Sequence, residues 1–229
     1  MDFSIRTFAV VELFGIDIWI TETIVGTWFI MAVLIIAALV LRRLFFRNPK
    51  EIPESRLQNI VELIVESMEK FATGPLGEKY AWLDNWFFML FVFLLFANIS
   101  GLIGMRPPTA DTATTIALAV TSFMLIQSMA FRFAFKRHFK SFFEPFPLFL
   151  PMNIIGEFAI IISLSFRLFG NILAGTILMG LVYALPWWVV ITGFPAMLHV
   201  YFDLFAGAIQ AYIFCMLSMS FVGNKLKTT

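Results

Sequence analysis

The sequence predicts an all-α integral membrane protein with five transmembrane helices, one interfacial amphipathic helix, and a last helix pair that forms a long, strongly tilted hairpin. Three observations lead to this fold class. Of the 229 residues, 60% are apolar and only 14% are charged, which is typical of multispanning membrane proteins. Five apolar segments are each long enough to cross a hydrocarbon core of about 30 Å. The basic residues collect in segments that would lie on one side of the membrane.

The chain begins with a segment, residues 1–20, that we expect to lie on the outer side of a single membrane domain, residues 1–229. It carries Asp2, Arg6, Glu12 and Asp17, whereas a secretory signal would place basic charge before a short apolar stretch and a cleavage site after it. No cleaved signal is therefore predicted. The following apolar run, residues 24–41, predicts the first membrane helix, over residues 21–45.

An amphipathic helix is predicted over residues 52–73. Apolar side chains recur there at three- and four-residue intervals, at Leu57, Val61, Ile64, Met68 and Phe71. This is the period of a helix with one apolar face. The segment is too polar to cross the bilayer, so we expect it to lie along the cytoplasmic interface.

Two shorter membrane helices are predicted next, over residues 86–105 and 112–131. They are followed by a cytoplasmic loop, residues 132–151, in which basic residues, phenylalanines and three prolines are mixed. We interpret this loop as interfacial, with short helical pieces, and place its His138 at the surface.

The last two membrane helices, predicted over residues 152–184 and 196–223, are longer than an upright crossing requires. At 1.5 Å per residue the first measures about 50 Å, and fitting it into about 30 Å of hydrocarbon requires a tilt of about 50°. Membrane helices are tilted by about 20° on average. The pair, joined by a turn at residues 186–195, is therefore expected to form a slanted antiparallel hairpin.

The distribution of basic residues predicts the orientation of the chain. Those that follow the first and third membrane helices and those at the chain end all fall on one side: Arg42, Arg43, Arg47, Lys50, Arg132, Lys136, Arg137, Lys140, Lys225 and Lys227. The positive-inside rule makes this side cytoplasmic. The N-terminus is then outside and the C-terminus inside, and a bacterial cell membrane is the expected location.

One ionisable residue, Arg167, is predicted near the middle of a membrane helix. A charge at this depth costs about 2.5–3.5 kcal/mol on insertion scales, so each such residue is a functional hypothesis. The guanidinium stays protonated in essentially any environment and is a fixed positive charge rather than a proton carrier. Two interpretations are open: a structural ion pair with Glu157 or Asp203, or a site that meets an acidic group of a partner helix.

The helix surface around Arg167 is small and polar. At 100° per residue, the residues within about 40° of its direction or close to that strip are Asn153, Ser163, Gly170, Asn171 and Ala174. Small residues let another helix approach closely. The strip is explained either by ordinary helix packing or by a partner whose acidic residue passes the arginine.

The final helix carries a polar row. His199, Asp203 and Gln210 fall within about 20° of one line and would descend from the outer surface toward the middle of the membrane. Such a row either holds water and passes protons or forms hydrogen bonds between helices. Glu157 lies ten residues before Arg167, so the acidic groups flank the arginine from opposite sides.

These residues carry a resemblance to a known family. Residues 163–175, Ser-Leu-Ser-Phe-Arg-Leu-Phe-Gly-Asn-Ile-Leu-Ala-Gly, resemble the signature of subunit a of F-type ATP synthases, in which arginine is followed by Leu-Phe-Gly-Asn. Residues 209–214, Ile-Gln-Ala-Tyr-Ile-Phe, are similar to the family's Ile-Gln-Ala-Phe-Ile-Phe pattern, and residues 98–102 and 108–111 look like its shorter motifs. The likeness covers nearly the whole chain from the first membrane helix onward.

The resemblance implies a static subunit of the F0 sector, with two offset aqueous half-channels that meet a rotating ring of c subunits. Arg167 would be the family's essential arginine, Gln210 its partner and Asn171 the polar residue one turn on. The residues implied for the half-channels are Asp111 and Asp203 on the outer side and Glu157 on the inner side. The small residues implied to face the ring are Ser163, Gly170 and Ala174.

The same resemblance implies the partners: the c-subunit ring, the b subunits of the peripheral stalk, the other F0F1 subunits and membrane lipid, with no nucleic acid. The subunit would be non-catalytic, with no cofactor and no metal, since no phosphate-binding loop, zinc-ligand cluster or nucleophile elbow appears in the sequence. We expect the ion to be H⁺, with a Na⁺-coupled version of the subunit as the alternative. A secondary transporter is the alternative from another class, but such folds usually contain repeated halves, and no repeat appears here.

The chain departs from common family forms in its last two helices. Thr176 stands where many members have Glu, and Asp203 where a histidine or another polar residue is frequent. Residues 159–162 are apolar where a polar residue or Lys is common. We infer that an acidic function has moved between helices and that the inner exit is narrower or differently lined.

Overall fold

The computed structural model describes residues 7–13, 16–45, 56–186, 188 and 192–226. Five helices or helical runs in this part of the chain are long and apolar enough to cross a membrane: Glu22–Leu44, Asp84–Ile103, Thr112–Phe133, Pro147–Tyr183 and Phe194–Leu226. The predicted all-α membrane fold with five membrane helices is confirmed. Of the basic residues used to predict the orientation, Arg47, Lys50 and Lys227 lie outside the described residues.

The described elements are two strands, eight α-helices, a π-helical segment and four short 3₁₀ turns. Two strands, β1 (Thr7–Leu13) and β2 (Ile16–Thr21), precede the helices α1 (Glu22–Phe45), α2 (Arg56–Leu76), α3 (Asp84–Ile99), α4 (Thr112–Phe133), α5 (Phe135–Ser141), α6 (Leu150–Tyr183), α7 (Phe194–His199) and α8 (Gly207–Leu226). A π-helical segment, Val200–Ala206, joins α7 to α8. Short 3₁₀ turns lie at Glu78–Leu83, Ser100–Ile103, Pro108–Ala110 and Pro147–Phe149.

The N-terminal segment contains a β-hairpin that the sequence analysis did not predict. β1 and β2 pair antiparallel, with Val10 opposite Trp19 and Glu12 opposite Asp17. Isoleucine occupies every second position at the start of β2, which is the period-2 pattern of a strand. The hairpin leads directly into α1 and lies outside the five candidate spans.

The predicted amphipathic helix corresponds to α2, which begins at Arg56 and continues to Leu76. Residues 52–55 lie outside the described residues. Ala72 and Leu76 of α2 are buried in the core, whereas Ile60 and Leu63 are exposed. The helix therefore packs on the bundle by its C-terminal turns and leaves apolar residues of its first half uncovered.

The connection between α4 and α6 is folded against the helices. The Asn153 side-chain amide donates hydrogen bonds to the carbonyl oxygens of Phe142 and Glu144, both at 2.9 Å. His138, on α5, is only 3% exposed, with the rings of Phe131 and Phe142 packed edge-on at centroid distances of 5.1 and 4.9 Å. The prediction of a surface position for His138 is wrong, because these aromatic rings cover the imidazole.

The core of the described bundle lies between α2, α3, α4, α6 and α8. Its fully buried side chains include Leu94 on α3, Ile126 on α4, and Phe214 and Met219 on α8. Lipid chains are as apolar as these side chains, so close packing between helices rather than removal from water holds a membrane bundle together. Contacts that bring two backbones close therefore have a large influence on this fold.

Asn98, at the end of α3, ties three segments together. The side chain is buried; its amide donates to the carbonyl oxygen of Gly207 at 2.9 Å, and its carbonyl oxygen accepts from the Thr109 hydroxyl at 2.8 Å. Gly207 permits this approach, because a Cβ at position 207 would lie 2.8 Å from the Asn98 Cβ. The contact determines the height and rotation at which α8 begins.

Replacing Gly207 by Ala is expected to destabilise the fold, because the added methyl group does not fit without moving Asn98. Overpacking of this kind costs about 1–3 kcal/mol. The measurement is the thermal unfolding midpoint of the purified protein in detergent. Gly156→Ala on α6 is the matched control, since a Cβ there meets nothing within 4 Å. Equal midpoints for the two variants would contradict the packing argument.

The strong tilt of the last two spans stays a prediction. α6 is an unbroken helix of 34 residues, and the run Phe194–Leu226 has 33 residues, so both exceed the length that about 30 Å of hydrocarbon requires. We expect both to lean by more than about 35° from the membrane normal. Solid-state NMR of oriented bilayers measures these angles, and axes near the roughly 20° average would overturn the prediction. The turn at residues 186–195 lies partly outside the described residues.

Candidate functional site

α6 has one side packed against the rest of the protein and one side that the described residues leave uncovered. The buried residues of α6 are Leu164, Ser165, Leu168, Ile172, Gly175 and Met179. Ser165 contacts Thr115 of α4 at an oxygen–oxygen distance of 3.1 Å. On the other side, Ile162, Phe166 and Ile177 are exposed. Arg167 is half-buried and lies between these two sides.

Among the described residues, the Arg167 guanidinium has no hydrogen bond and no ion pair. Of the two acids considered as its partners, Glu157 contacts Lys225 and Gln127, and Asp203 contacts His199. Both carboxylates are satisfied by other groups. The interpretation of Arg167 as one half of an ion pair within the described bundle is therefore not supported by its contacts.

The small residues beside the arginine lie toward the uncovered side of α6. A Cβ at Gly170 would have no atom within 4 Å, whereas a Cβ at Gly175, on the packed side, would lie 3.4 Å from the nearest side chain. Ser163 and Ala174 are exposed. The structure thus brings Ser163, Gly170 and Ala174 together on a surface with room for another helix.

Gln210 lies in the first turn of α8, inside the bundle. It is 8% exposed, and its amide nitrogen has no hydrogen-bond partner among the described residues. A buried polar group without a partner costs about 1–3 kcal/mol. α8 packs against α6, so this unsatisfied amide belongs to the same pair of helices as Arg167.

The polar row predicted on the last helix is divided in the structure. His199 and Asp203 line a cavity, and Gln210 is not part of its lining. The sequence analysis assumed 100° per residue throughout, which holds for an α-helix. The segment Val200–Ala206 is π-helical, and its i→i+5 hydrogen bonds widen the turn and change the rotation between residues on either side.

The cavity has a volume of about 440 Å³ and lies between the start of α1, the connection at residues 101–107, α6 and the last span. Its polar and charged lining is contributed by Glu22, Arg106, Asn171, Thr176, His199 and Asp203. A water molecule occupies about 30 Å³ in the liquid. The cavity is therefore large enough for several waters among groups that exchange protons.

A hydrogen-bonded chain runs from Asp203 and His199 in the cavity wall to Tyr183, which is outside the lining. The Asp203 carboxylate lies 2.8 Å from Nδ1 of His199, and Nε2 of His199 lies 3.1 Å from the Tyr183 hydroxyl. A Cβ at Gly101 would lie 3.3 Å from the Asp203 carboxyl carbon, so the glycine leaves room for the carboxylate. Carboxylate, imidazole and phenol each gain or lose protons, so this chain connects three exchangeable sites.

Asp111 occupies a different position from the other predicted residues of the outer path. One carboxylate oxygen accepts a hydrogen bond from the backbone N–H of Ala113 at 3.0 Å and caps α4, and the other accepts from the Thr23 hydroxyl at 3.0 Å. Asp111 thereby fastens α1 to the start of α4. It is not among the residues that line the cavity.

Three polar residues of the lining were missed as site residues by the sequence analysis: Glu22, Arg106 and Thr176. Glu22 is the first residue of α1 and was treated only as part of the first span. The sequence analysis gave Arg106 no role in a site and treated Thr176 only as a departure from the family pattern. Glu22 and Arg106 could have been found from the sequence, because each is a charged residue at the predicted outer end of a span.

Glu157 belongs to a second polar cluster, toward the opposite end of α6. Its carboxylate contacts Nζ of Lys225 on α8 and accepts a hydrogen bond from the Gln127 amide of α4 at 2.7 Å. Nζ of Lys225 also lies 3.4 Å from Nδ1 of His138. Four helices meet here, and sequence analysis used Lys225 only as a marker of orientation.

Arg167 thus lies between two polar regions on one helix. Glu157 is ten residues before it and Thr176 is nine residues after it, which correspond to about 15 and 14 Å along the axis. Within the described residues, no group of three or more His, Cys, Asp or Glu side chains is placed to hold a metal ion. The arrangement is a fixed cation between two separate groups of exchangeable protons.

The chain is similar to known proteins of one family. The family model described as ATP synthase A chain matches residues 24–223. The chain is 37% identical over 225 residues to the sodium ion specific ATP synthase subunit a of Propionigenium modestum, covering 90% of this chain and 74% of that protein. It is 34% identical over 221 residues to ATP synthase subunit a of Moorella thermoacetica, covering 93% and 95%, and 34% identical over 216 residues to ATP synthase subunit a 1 of Hahella chejuensis, covering 92% and 86%.

Cysteines placed in the cavity are expected to react with a small water-soluble thiol reagent. In a background where the buried Cys215 is replaced by Ala, Asp203→Cys and Asn171→Cys should be labelled, because both positions line the cavity. Ser218→Cys is the matched control and should stay unlabelled, since Ser218 is buried. Mass spectrometry of protein labelled in membrane vesicles measures the extent of reaction. An unreactive position 203 in a normally assembled protein would exclude an aqueous cavity.

Proposed function

The chain belongs to the ATP synthase A chain family, and from this premise we propose that it is the static, non-catalytic subunit that passes ions to and from a rotating ring of c subunits. Membership of the family makes the chain a membrane subunit of an ATP synthase complex. The specific partners are part of the proposal: the c-ring at the uncovered side of α6, the b subunits of the peripheral stalk, and membrane lipid around the remaining surface.

The observation that carries the proposal is the unpaired cation on a surface with room for a helix. Arg167 has no partner among the described residues. A Cβ at the nearby Gly170 would have no atom within 4 Å. A permanent positive charge in hydrocarbon is costly, so a carboxylate on a passing ring helix would stabilise it. In the same encounter the guanidinium would keep that carboxylate ionised, which drives release of its ion.

The outer path of the proposal runs through the cavity lined by Asp203, His199 and Asn171. An ion enters there from outside, crosses water held by these groups, and neutralises a ring carboxylate on one side of Arg167. The hydrogen-bonded chain from Tyr183 through His199 to Asp203 supports proton transfer along this wall. Asp111 acts in this proposal by anchoring α1 and α4 rather than by carrying the ion.

The inner path of the proposal runs past Glu157. After almost a full turn of the ring, the ion leaves on the opposite side of Arg167 and passes toward the cytoplasm, which the basic residues at the ends of α1, α4 and α8 support as the inner side. Lys225 and Gln127 hold the Glu157 carboxylate in place. Arg167 blocks a direct passage between the two paths.

The transported ion is proposed to be H⁺. The protonatable chain along the outer cavity supports this choice, since it offers a route for protons without a set of cation ligands. The similarity to the sodium ion specific subunit of Propionigenium modestum favours Na⁺ as a second candidate. The family's ring carries the ion-binding carboxylate, so the choice depends largely on a partner of this chain.

Replacing Arg167 by Ala is expected to abolish ATP-driven pumping while leaving assembly intact. Without the cation nothing drives the passing carboxylate to release its ion, and nothing separates the two paths. The assembled variant should therefore leak ions passively down the membrane potential, where each charge gains about 2.3 kcal/mol per 100 mV. ATP-driven pumping and passive conductance are measured in vesicles, with H⁺ and Na⁺ gradients followed separately, and copurification of the ring confirms assembly.

The matched control for Arg167→Ala is Arg132→Ala. Arg132 lies at the exposed end of α4, so this variant removes a cation from the same chain and should pump at the parent rate. An assembled Arg167→Ala complex that pumps like the control would overturn the proposal. Pumping that requires Na⁺ in the parent complex would replace H⁺ by Na⁺ and leave the role of Arg167 unchanged.

A further inference from the structure

A second cavity, of about 800 Å³, lies at the opposite end of the protein from the Asp203 cavity. It is formed by α5, the turn that follows α5, and the end of α8, and its lining residues are Lys136, Arg137, His138, Lys140, Ser141, Glu144, Asn224 and Lys225. Four of these side chains carry permanent or near-permanent positive charge and one carries negative charge. Of its lining residues, only Lys225 takes part in the proposed ion path, where it holds the Glu157 carboxylate.

The positive charges of this cavity are incompletely neutralised. Lys140 pairs with Glu144 at 3.3 Å, and Lys225 pairs with Glu157. Lys136 and Arg137 have no ion pair with any described residue. The cavity therefore presents a surplus of two cations at the membrane interface.

His138 is the one lining residue of this cavity that is almost fully buried. It lies in the cavity wall and is only 3% exposed, and its Nε2 has no hydrogen-bond partner among the described residues. Burial of the imidazole lowers the pKa of His138, and the charge of Lys225 lowers this pKa further. Because Nε2 exposes almost no surface, the case for an anion rests on the exposed Lys136 and Arg137, whose charges no described residue neutralises.

We propose that this cavity binds a phosphate group. A phosphate offers several acceptor oxygens to the planar fork of Arg137 and to the ammonium of Lys136, and charge-assisted hydrogen bonds of this kind are strong. The exposed Asn224 amide adds donors at the same cavity. The group is either the headgroup of an anionic lipid or free phosphate, and the inference does not depend on the proposed transport function.

The surroundings of the cavity favour a lipid as the source of the phosphate. On α5 the basic residues alternate with Phe135 and Phe139, whose exposed rings stack at a centroid distance of 6.4 Å. A short helix with basic and aromatic residues is suited to the boundary between headgroups and acyl chains. Basic pockets between membrane helices on the cytoplasmic side are a common binding place for anionic headgroups.

The test uses the assembled, detergent-purified complex exchanged into phosphatidylcholine nanodiscs. One arm titrates phosphatidylglycerol into the nanodiscs and counts retained lipid by native mass spectrometry; the other measures binding of labelled inorganic phosphate in phosphatidylcholine alone. The variant is Lys136→Gln with Arg137→Gln. The matched control is Lys70→Gln with Arg56→Gln on α2, which also removes one lysine and one arginine but outside the cavity.

Each basic residue near the headgroups contributes about fivefold to anionic lipid binding, so the cavity variant should bind its phosphate ligand about 25- to 30-fold more weakly than the parent. The control should bind like the parent. The exchanged variant Lys136→Arg with Arg137→Lys keeps both charges and should retain most of the binding, which separates loss of charge from misfolding.

The two arms identify the source. Weakened retention of phosphatidylglycerol, with no binding of inorganic phosphate, assigns the cavity to a lipid headgroup; weakened binding of inorganic phosphate alone assigns it to free phosphate. If parent, cavity variant and control are indistinguishable in both arms, the proposal is overturned. That result is also expected if an acidic segment of a partner subunit fills the cavity in the assembled complex.

Discussion

The close contact between Asn98 and Gly207 is the constraint on which the placement of Asp203 and Gln210 beside α6 depends. Because Asn98 is buried and uses both ends of its amide, the last span cannot slide or rotate at this height without leaving polar atoms unpaired in an apolar core. Asp203 lies four residues before this contact and Gln210 three residues after it. One buried contact therefore orients the carboxylate toward the cavity and the amide into the bundle.

The charges of the chain are arranged so that the acids are satisfied locally and the arginine is not. Glu157 has Lys225 and Gln127, Asp203 has His199 and Asp111 has Thr23, whereas Arg167 has no partner among the described residues. An acid paired within the bundle does not compete for the guanidinium. In the proposed function, the free energy cost of the unpaired cation is relieved by a carboxylate from outside the chain.

Three glycines and a local change of helix type also determine how the last span packs and which surface of α6 stays open. Gly101 leaves room for the Asp203 carboxylate, and Gly207 lets the Asn98 side chain come close to the last span. Gly170 leaves the opposite surface of α6 open. The π-helical segment changes the rotation of the last span between His199 and Gln210. Membrane helices have little hydrophobic preference for one another over lipid, so such small steric features decide which faces meet.

The number of candidate spans, the amphipathic segment, the position of Arg167 near the middle of the fourth candidate span and the family were all determined by the sequence alone. These are properties of composition, period and contiguous motif, which are read along the chain. The pairing of Glu157 with Lys225, the capping role of Asp111, the burial of His138 and the separation of Gln210 from Asp203 were decided only by the tertiary structure. Each of these depends on which helix faces which: Glu157 and Lys225 are 68 positions apart, and no local pattern encodes the rotation and height at which two helices pack.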